Sequence, residues 1–354
     1  MAALATEDDR QRALALLRGH AYTTVSFQLL ESDFQYWFDG DDAFVAYIDT
    51  GGAWVAGGAP IASADRLVEV AHRFVAAARR AGRRASFFGC EQRFVDASAM
   101  PALVVGQQPV WQPAAWDALL ATTPSLRYQV RRAGKKGVTA RLVDAAEVSD
   151  PSAPLARAIA ALSEQWLASR RMAPMGFLVQ LEPLGFARER VLVVAERAGA
   201  VVGFLSAVPV YGRRRLFVED VLRATDAPNG TPELLVDAAM RAAVARGDEA
   251  VTLGLAPLAG KVAPPLRLAR ALSAPLYDFR GLHAFKDKLR PASWEPVYLC
   301  APSLRWLALR DGLTAFARGS VVRFGLRTLA RRPRVRAVAL VALLAVVTVA
   351  FLLA

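Results

Sequence analysis

The chain has 354 residues, of which 54% are hydrophobic and 21% are charged. This composition is that of a folded protein and excludes a disordered or fibrous one, and the length allows two domains with their own cores. The formal net charge is +12. The two cysteines, Cys90 and Cys300, fit no metal-binding spacing, so we expect buried free thiols in a reducing compartment.

The first third of the chain alternates between strand-like and helix-like patterns. Apolar residues recur every three or four positions from Ala64 to Ala81, which predicts an amphipathic helix that ends at Gly82. Short apolar segments bounded by turn residues predict strands around this helix. These segments are AFVAYID (43–49), AWVAGGAPIA (53–62), RASFFGC (84–90) and ALVVGQQ (102–108).

A second cycle of strands and helices begins near Trp111. Thr231 is expected to cap the last helix of this cycle at its N-terminus, and Gly247 to stop it. A hairpin is expected across Ala198 and Gly199. The predicted helices are 114–121, 124–134, 155–170 and 231–246. The predicted strands are 138–144, 190–197, 200–212, 214–223 and 250–257.

The order of these elements indicates the fold class. Strands joined mostly by hairpins but interrupted by helices favour a mixed sheet over a doubly wound parallel one. Both halves of the chain follow the same order of hairpin strands, helix and strand. The sequence therefore predicts an α/β (α+β) fold with mixed sheets, and two copies of a small acyltransferase-like fold would fit the repeated order and the length.

The C-terminal end combines arginines with a long apolar run. Nine arginines and one aspartate between Ser303 and Arg336 supply +8 of the net charge of +12. Apolar and aromatic side chains fall between them at helical intervals, which predicts an amphipathic juxtamembrane segment on an anionic membrane, or else a helix packed on the domain. Residues 337–354 carry no charge, and a helix of that length spans about 27 Å. They predict a single transmembrane anchor at the cytoplasmic membrane, with the preceding chain in the cytosol.

Several common chemistries are missing from the sequence. There is no P-loop, no nucleophile elbow and no Rossmann glycine fingerprint. His20, His72 and His283 are scattered along the chain, and we expect no metal site. Where a pyrophosphate-binding loop for coenzyme A would be expected, the chain offers only Asn229-Gly230-Thr231, which argues against coenzyme A as the acyl carrier.

Residues 118–143 contain six basic side chains and no acidic one. Cations three and four positions apart on a helix repel each other, so this segment is expected to bind a polyanion such as a nucleic-acid backbone or lipid phosphates, unless it is only a solvated basic face. The six residues are Arg127, Arg131, Arg132, Lys135, Lys136 and Arg141.

The segment FVEDVLR (217–223) places charges at the end of an apolar strand. One of the carboxylates of Glu219 and Asp220 should point inward, and a buried acid needs a partner, for which Arg223 is close enough. The pattern fits a structural ion pair or a catalytic element.

The segment GLHAFKDKLRPASWEPVYL (281–299) clusters cations and aromatic side chains. Lys286 and Lys288 alternate along the chain, so they share one face if the segment is extended. Trp294 offers a stacking surface for a base, and His283 neighbours the two lysines. The cluster fits phosphate binding or a plain surface loop.

Six motifs in order carry a resemblance to a known family. They are LRYQVRRAGKKG (126–137), RRMAPMGF (170–177), VVGFLSAVPVYG (201–212), FVEDVLRATDAPNGTPELL (217–235), LGLAPL (253–258) and the 281–299 segment. This succession resembles the C-terminal catalytic domain of phosphatidylglycerol lysyltransferases, the aminoacyl-phosphatidylglycerol synthases, over about residues 20–302.

The resemblance implies two tandem GNAT-like acyltransferase domains, residues 1–112 and a catalytic domain at 113–302. It also implies an aminoacyltransferase that moves lysine or alanine from aminoacyl-tRNA to the glycerol hydroxyl of phosphatidylglycerol at the cytoplasmic membrane face. Aminoacyl-tRNA would be the co-substrate, anionic phospholipid the acceptor, and no cofactor would be needed; a protein partner is unknown. It implies that Asp220 polarises the hydroxyl or binds the amino group, that Arg223 binds a phosphate or orients Asp220, and that Lys286 and Lys288 contact phosphates or the oxyanion. Substrate-binding roles would fall on Arg127, Arg131, Arg132, Lys135, Lys136, Glu219, His283 and Trp294.

The sequence departs from the family pattern in three respects. We expect no multi-helix flippase module of the kind that long members carry, Leu289 stands where phenylalanine is usual, and the predicted C-terminal anchor would replace N-terminal tethering. These departures leave the acceptor open to another lipid or to a protein or peptide amine. Two other classes of function also stay open, an acyl-CoA-dependent N-acyltransferase of the same fold and a non-catalytic, membrane-tethered protein that binds tRNA or lipid.

Overall fold

The computed structural model describes residues 5–170, 172–273, 277–302 and 305–331. Its strands are β1 (Gln35–Phe38), β2 (Phe44–Asp49), β3 (Ala53–Gly57), β4 (Arg84–Cys90), β5 (Ala102–Trp111), β6 (Val138–Val143), β7 (Val191–Arg197), β8 (Ala200–Val210), β9 (Arg215–Arg223), β10 (Ala250–Thr252), β11 (Ala256–Pro257) and β12 (Ser293–Cys300). Its α-helices are α1 (Glu7–His20), α2 (Leu67–Arg80), α3 (Gln92–Ser98), α4 (Trp116–Thr122), α5 (Pro124–Gly134), α6 (Pro154–Ser169), α7 (Thr231–Arg246), α8 (Pro264–Ser273), α9 (Phe279–Lys288), α10 (Arg305–Phe316) and α11 (Val321–Arg331).

One mixed sheet runs through both halves of the chain. Its strand order is β1-β2-β3-β4-β12-β5-β10-β9-β8-β7-β6, and β11 pairs with β5 beside this path. The pairs β3–β4 and β9–β10 are parallel, and the other pairs are antiparallel. Each parallel pair is joined by a helix, α2 in the first half and α7 in the second. The mixed α/β fold predicted from the sequence is confirmed.

Both halves therefore repeat a meander followed by a strand–helix–strand crossover, which is the order predicted for tandem domains. The sheet is continuous between them, because β10 pairs with β5 and the late strand β12 lies between β4 and β5. The boundaries at residues 112 and 302 and the assignment of each half to a GNAT-like domain stay predictions.

Apolar side chains cover both faces of the sheet. Helix α2 buries Val70, Ala71 and Phe74 against β4, as its three-to-four spacing predicts. Helix α7 is buried on most of its surface, because it packs between the second half of the sheet and α5, and Arg241 and Ala245 stay exposed on the remaining side. Cys90 and Cys300 are buried free thiols on the neighbouring strands β4 and β12, as predicted.

Two predictions about local structure are wrong, and one strand is missed. The N-cap of α7 is Gly230, in the left-handed conformation, and Thr231 is the first helical residue. The segment 279–288 is the helix α9, so Lys286 and Lys288 do not share the face that an extended chain would give them. The missed strand is β12, where no element is predicted from the sequence; Pro296 in its centre is unusual for a strand.

The arginine-rich segment 303–336 forms two different helices within its described part. Helix α10 packs on the sheet, and Asp311 forms an ion pair with Arg84. Helix α11 leaves Val322 and Leu326 exposed. None of the helices among the described residues is long and apolar enough to cross a bilayer. The predicted anchor, residues 337–354, lies outside the described residues.

Candidate active site

A β-bulge in β9 places two carboxylates side by side. Ser206 pairs with Asp220 and Ala207 pairs with Val218, so Glu219 is an extra residue on β9. Bulges turn neighbouring side chains away from strict alternation and are frequent beside active sites. Glu219 and Asp220 therefore both lie in the same electrostatic neighbourhood, although a regular strand would point them to opposite faces.

Arg190, which precedes β7, holds the bulged residue in place. Its side chain is only 4% exposed, and it donates hydrogen bonds to the carbonyl of Gly185, to Ser206 Oγ at 2.8 Å and to the Glu219 carboxylate. The expectation that Arg223 partners the inward carboxylate is wrong. Arg223 is exposed at the end of β9, whereas Arg190, directly before β7, reaches Glu219 across β8. Sequence reasoning missed Arg190, because 29 positions separate it from its partner.

Asp220 is the free carboxylate of this pair. None of the residues that the structure describes forms an ion pair or hydrogen bond with its side chain. Burial raises the pKa of Asp220 well above its usual range, the neighbouring charge of Glu219 raises it further, and Arg190 opposes both effects. A carboxylate that is hard to ionise is a stronger base once ionised, so Asp220 is suited to accept a proton from a hydroxyl.

A third carboxylate comes from the first half of the chain. Glu31 follows the 3₁₀ segment Thr24–Leu30, which packs on β8 and β3, and it is only 5% exposed. Its Oε2 atom has no hydrogen-bond partner among the described residues. Burial raises the pKa of Glu31 well above its usual range, and the charges of Glu219, Glu182 and Asp220 add to this. No local pattern in the sequence indicates Glu31, because the acids near it lie in the second half of the chain.

Beyond the bulge, the parallel strands β9 and β10 separate. Their last paired residues are Phe217 and Thr252, and Glu219 and Asp220 lie directly after that point on β9. On the other side, the chain after β10 turns away at Gly254, which has a φ of +66°. A Cβ atom at Gly254 would lie 2.5 Å from the Phe217 ring, so only glycine fits this turn.

Lys286 fixes the turn that follows β10. Its side chain is buried, with 4% of the residue exposed, and Nζ donates hydrogen bonds of 2.7, 2.8 and 2.9 Å to the carbonyls of Leu253, Gly254 and Leu255. Burial lowers the pKa of Lys286 to about 7, while three carbonyl acceptors favour the ammonium form. All three donors are used, so Lys286 is a positioning residue and not the phosphate contact that the resemblance implies.

Lys288 has a different partner from Lys286. It forms an ion pair with Glu233, a buried acid in the first turn of α7, and lies 4.9 Å from the centre of the Phe285 ring. The pair ties α9 to the start of α7. Lys288 therefore compensates a buried carboxylate in this structure.

His283 and Trp294 meet as an aromatic pair. Their rings are stacked, with centroids 4.6 Å apart and an angle of 15° between the planes. His283 also lines a cavity of about 200 Å³ together with Arg270 and Arg280. The structure thus brings both predicted binding residues together, and one face of the Trp294 ring is already covered by His283.

The predicted basic segment is the helix α5 and the turn after it. Arg127 donates to the carbonyls of Leu120 and Ala121 at the end of α4, and Arg141 on β6 pairs with acids. Four cations make no ion pair within the described part of the chain, and three of them, Arg131, Lys135 and Lys136, are exposed. The fourth is the half-buried Arg132.

Gly230 brings this basic helix next to the loop after β9. A Cβ atom at Gly230 would lie 2.5 Å from the carbonyl oxygen of Gln129, and the residue has a φ of +99°. The loop after Arg223 therefore passes directly under α5. At the near end of this loop, Arg223 lies within electrostatic range of Arg170, and neither forms an ion pair with a described acid. Two neighbouring guanidinium groups without counter-ions favour a bound anion.

The family described as "Phosphatidylglycerol lysyltransferase, C-terminal" matches residues 14–301. Among curated proteins, the lysylphosphatidylglycerol biosynthesis bifunctional protein LysX of Gordonia bronchialis is 26% identical over 349 residues, which cover 91% of this chain and 30% of that protein. The phosphatidylglycerol lysyltransferase of Bacillus subtilis is 27% identical over 157 residues, 42% of this chain and 18% of that protein.

Solved structures show the same fold. The L-PGS structure from Bacillus licheniformis has a TM-score of 0.74 at 20% identity and covers 92% of this chain and all of that one. A C-terminal DUF2156 domain from Agrobacterium fabrum has a TM-score of 0.75 at 23% identity, covering 88% of this chain and 98% of that one. The chain spans less than two-fifths of the length of the curated relatives it matches. It belongs to the phosphatidylglycerol lysyltransferase C-terminal domain family, a family of aminoacyltransferases.

Proposed function

We propose that the protein transfers an amino acid of the lysine or alanine class from aminoacyl-tRNA to the glycerol hydroxyl of phosphatidylglycerol at the cytoplasmic membrane face. The observation that carries this proposal is the unpartnered Asp220 at the point where β9 and β10 separate, in a chain that matches the family over residues 14–301. Aminoacyl-tRNA is the co-substrate in this proposal, and no other cofactor is needed.

The chemical step is a transesterification. The glycerol hydroxyl oxygen attacks the carbonyl carbon of the aminoacyl ester, and Asp220 accepts the hydroxyl proton as the new C–O bond forms. The ester bond to the terminal ribose then breaks, and the proton returns to the ribose oxygen that leaves. Arg190 neutralises Glu219 beside this carboxylate, so that Asp220 does not face a second unpaired charge on the same strand.

Two surfaces of the second half support polyanionic substrates. Arg223 ends β9 and acts electrostatically on Arg170, neither has an acidic partner among the described residues, and phosphate oxygens match their guanidinium groups. The unpaired cations of α5, above all Arg131, Lys135 and Lys136, lie beside the same loop and would bind tRNA phosphates. These assignments rest on placement and charge.

The membrane location is supported by α11. Val322 is 64% exposed and Leu326 60% exposed, and Arg323 and Arg327 lie beside them on the surface. An exposed apolar pair between arginines fits a bilayer surface that contains anionic lipid. The buried contact of Thr328 with the backbone of Ala173 holds the other side of the helix to the domain.

The proposal is tested by label transfer. Purified protein is mixed with vesicles containing phosphatidylglycerol and with tRNA that carries radiolabelled lysine or alanine. We expect the label to appear in a lipid product and to stay in water-soluble material if the tRNA is first digested with ribonuclease. Transfer from an acyl-CoA, with none from either aminoacyl-tRNA, would instead support the N-acyltransferase alternative. Vesicle binding without transfer from any donor would support the non-catalytic alternative.

A further inference from the structure

The surroundings of β9 hold more carboxyl groups than the described cations pair with. Glu219 is paired with Arg190. Glu182 accepts hydrogen bonds from the backbone and hydroxyl of Ser32 and from Gln180, and lies 3.9 Å from Arg10. Glu31 and Asp220 have no ion-pair partner in the described part of the chain. Two carboxylates are therefore left without a cation.

Buried carboxylate oxygens near β9 also lack hydrogen-bond donors. Glu31 Oε2 and Glu219 Oε1 are both buried and both lack a hydrogen-bond donor among the described residues. The side chain of Glu219 is only 6% exposed, and Glu31 is 5% exposed, so bulk water cannot supply these donors freely. A buried acceptor without a donor is costly, and a primary ammonium group offers three donors and a positive charge together.

We expect the two unpaired carboxyl groups, Asp220 and Glu31, to contact different parts of a substrate. Asp220 takes the hydroxyl proton in the reaction proposed above, so it must lie next to the ester carbonyl. Glu31 reaches the cluster from the opposite half of the chain, on the 3₁₀ segment that packs on β8. A group that Glu31 recognises is therefore separate from the atoms that react, as the end of an amino-acid side chain is.

We propose that Glu31, together with the unpaired oxygen of Glu219, binds the side-chain ammonium of the aminoacyl group and so selects lysine over neutral amino acids. The inference rests on the proposed function and deepens it. It makes Glu31 a specificity residue supplied by the first half of the chain to a reaction that takes place on the second half.

The test compares two donors that differ only in the terminal ammonium group. tRNA is charged with lysine or with norleucine, and transfer to phosphatidylglycerol is measured for the unmodified protein, for Glu31→Gln and for Glu182→Gln. We expect the unmodified protein to favour lysine, and Glu31→Gln to reduce this preference about tenfold or more, since a charge-assisted hydrogen bond is lost. Glu182→Gln removes the same charge from a carboxylate that already has partners, so the preference should stay within about twofold.

The outcomes separate this inference from the proposed function. Equal transfer of lysine and norleucine by the unmodified protein would overturn the inference and leave the function standing. An equal loss of both donors in Glu31→Gln would also overturn it, because Glu31 would then act on the common α-amino group or on folding. Thermal unfolding of each variant identifies the folding case. No transfer of any aminoacyl group by the unmodified protein would overturn the proposed function and this inference with it.

Discussion

The two strand–helix–strand crossovers of this protein have the same topology, but the residues at the ends of their parallel strands differ in character. In the first, a Cβ atom at Gly57 at the end of β3 would lie 2.6 Å from Leu29 and 3.2 Å from Leu178 and Phe34. The protein's own apolar side chains therefore fill the end of this crossover. In the second, β9 and β10 separate after Phe217 and Thr252, and the acidic residues Glu219 and Asp220 follow on β9.

This difference shows how one repeat supports the other. The 3₁₀ segment Thr24–Leu30 closes the end of the first crossover with Leu29 and, one residue past its end, presents Glu31 to the second. Lys286 holds the second crossover open by binding the three carbonyls after β10. A filled crossover stabilises the fold, whereas the open one leaves a buried carboxylate free for chemistry.

The largest effect should come from the open crossover. Asp220→Asn keeps the shape of the side chain but removes the proton acceptor, so we expect transfer to fall at least about 100-fold. Thermal stability should be unchanged or slightly higher, because a buried charge is lost. Label transfer and thermal unfolding of the same preparation measure both. Activity within a few-fold of the unmodified protein would exclude Asp220 as the base.

Lys286→Met should damage both stability and transfer. Three buried carbonyls lose their donor, which we expect to lower the free energy of unfolding by about 3 kcal/mol. The turn that follows β10, next to the point where β9 and β10 separate, loses its support, so transfer should fall even where the variant is folded. Urea unfolding and label transfer test this, with the exposed Lys261→Met as a control. A stable variant with full activity would show that the turn does not depend on Lys286.

A substitution in the filled crossover should lower stability and leave transfer intact, which is the opposite of the result expected for Asp220→Asn. Gly57→Ala pushes a methyl group into Leu29, Leu178 and Phe34, and overpacking of this kind costs about 1–3 kcal/mol. The folded fraction should keep its turnover, because no reacting group is touched. Urea unfolding gives the stability, and transfer is normalised to the folded protein. Loss of turnover without loss of stability would contradict the division between the two crossovers.

Basic side chains should contribute to tRNA binding only in the second half of the chain. Replacing Lys135 and Lys136 with glutamine removes two unpaired cations beside the loop after β9, so the salt dependence of tRNA binding should weaken by about 1.4 to 1.8 in the log–log slope. The matched control replaces Arg79 and Arg80, exposed cations at the end of α2. Filter binding at several salt concentrations measures the slope, and equal changes in both variants would remove the assignment to α5.

The smallest effect concerns the pH dependence of stability. The pKa values of Glu31 and Asp220 are raised in the folded state, so the folded protein holds protons that the unfolded chain releases above about pH 4. This contribution to stability is lost as pH rises. Glu31→Gln removes one such group, and its stability relative to the unmodified protein should therefore grow with pH. Urea unfolding at pH 5 and pH 7 measures this difference, and no growth would mean that Glu31 is ionised at little cost.

Local patterns predicted the elements around the site well. The segment 124–134 was predicted as a helix and forms α5, and the apolar segment before Glu219 predicted β9, because these signals lie within the elements themselves. The same segment places Glu219 and Asp220 near the end of that strand, and the role of Asp220 stays a prediction. The helix α9 was missed although Asp278 caps it by accepting from the backbone of Gly281, a signal that is present in the sequence.

The partners of the site residues were not predictable in the same way. Arg190 meets Glu219 across two neighbouring strands, and Glu31 reaches the cluster only because the first half folds over β8. The role of Lys286 depends on carbonyls more than 30 positions away. Such contacts are set by the packing of the two halves, which no spacing within one segment records.

The central claim is that aminoacyl transfer takes place where β9 and β10 separate. A crystal structure with a lysyl-adenosine mimic, in which an amide replaces the ester, tests it directly. The account predicts that the amide carbonyl lies beside Asp220, between β9 and the turn at Leu253–Leu255. Binding of the lysyl group at the end of β3, or on α5 away from Asp220, would contradict it.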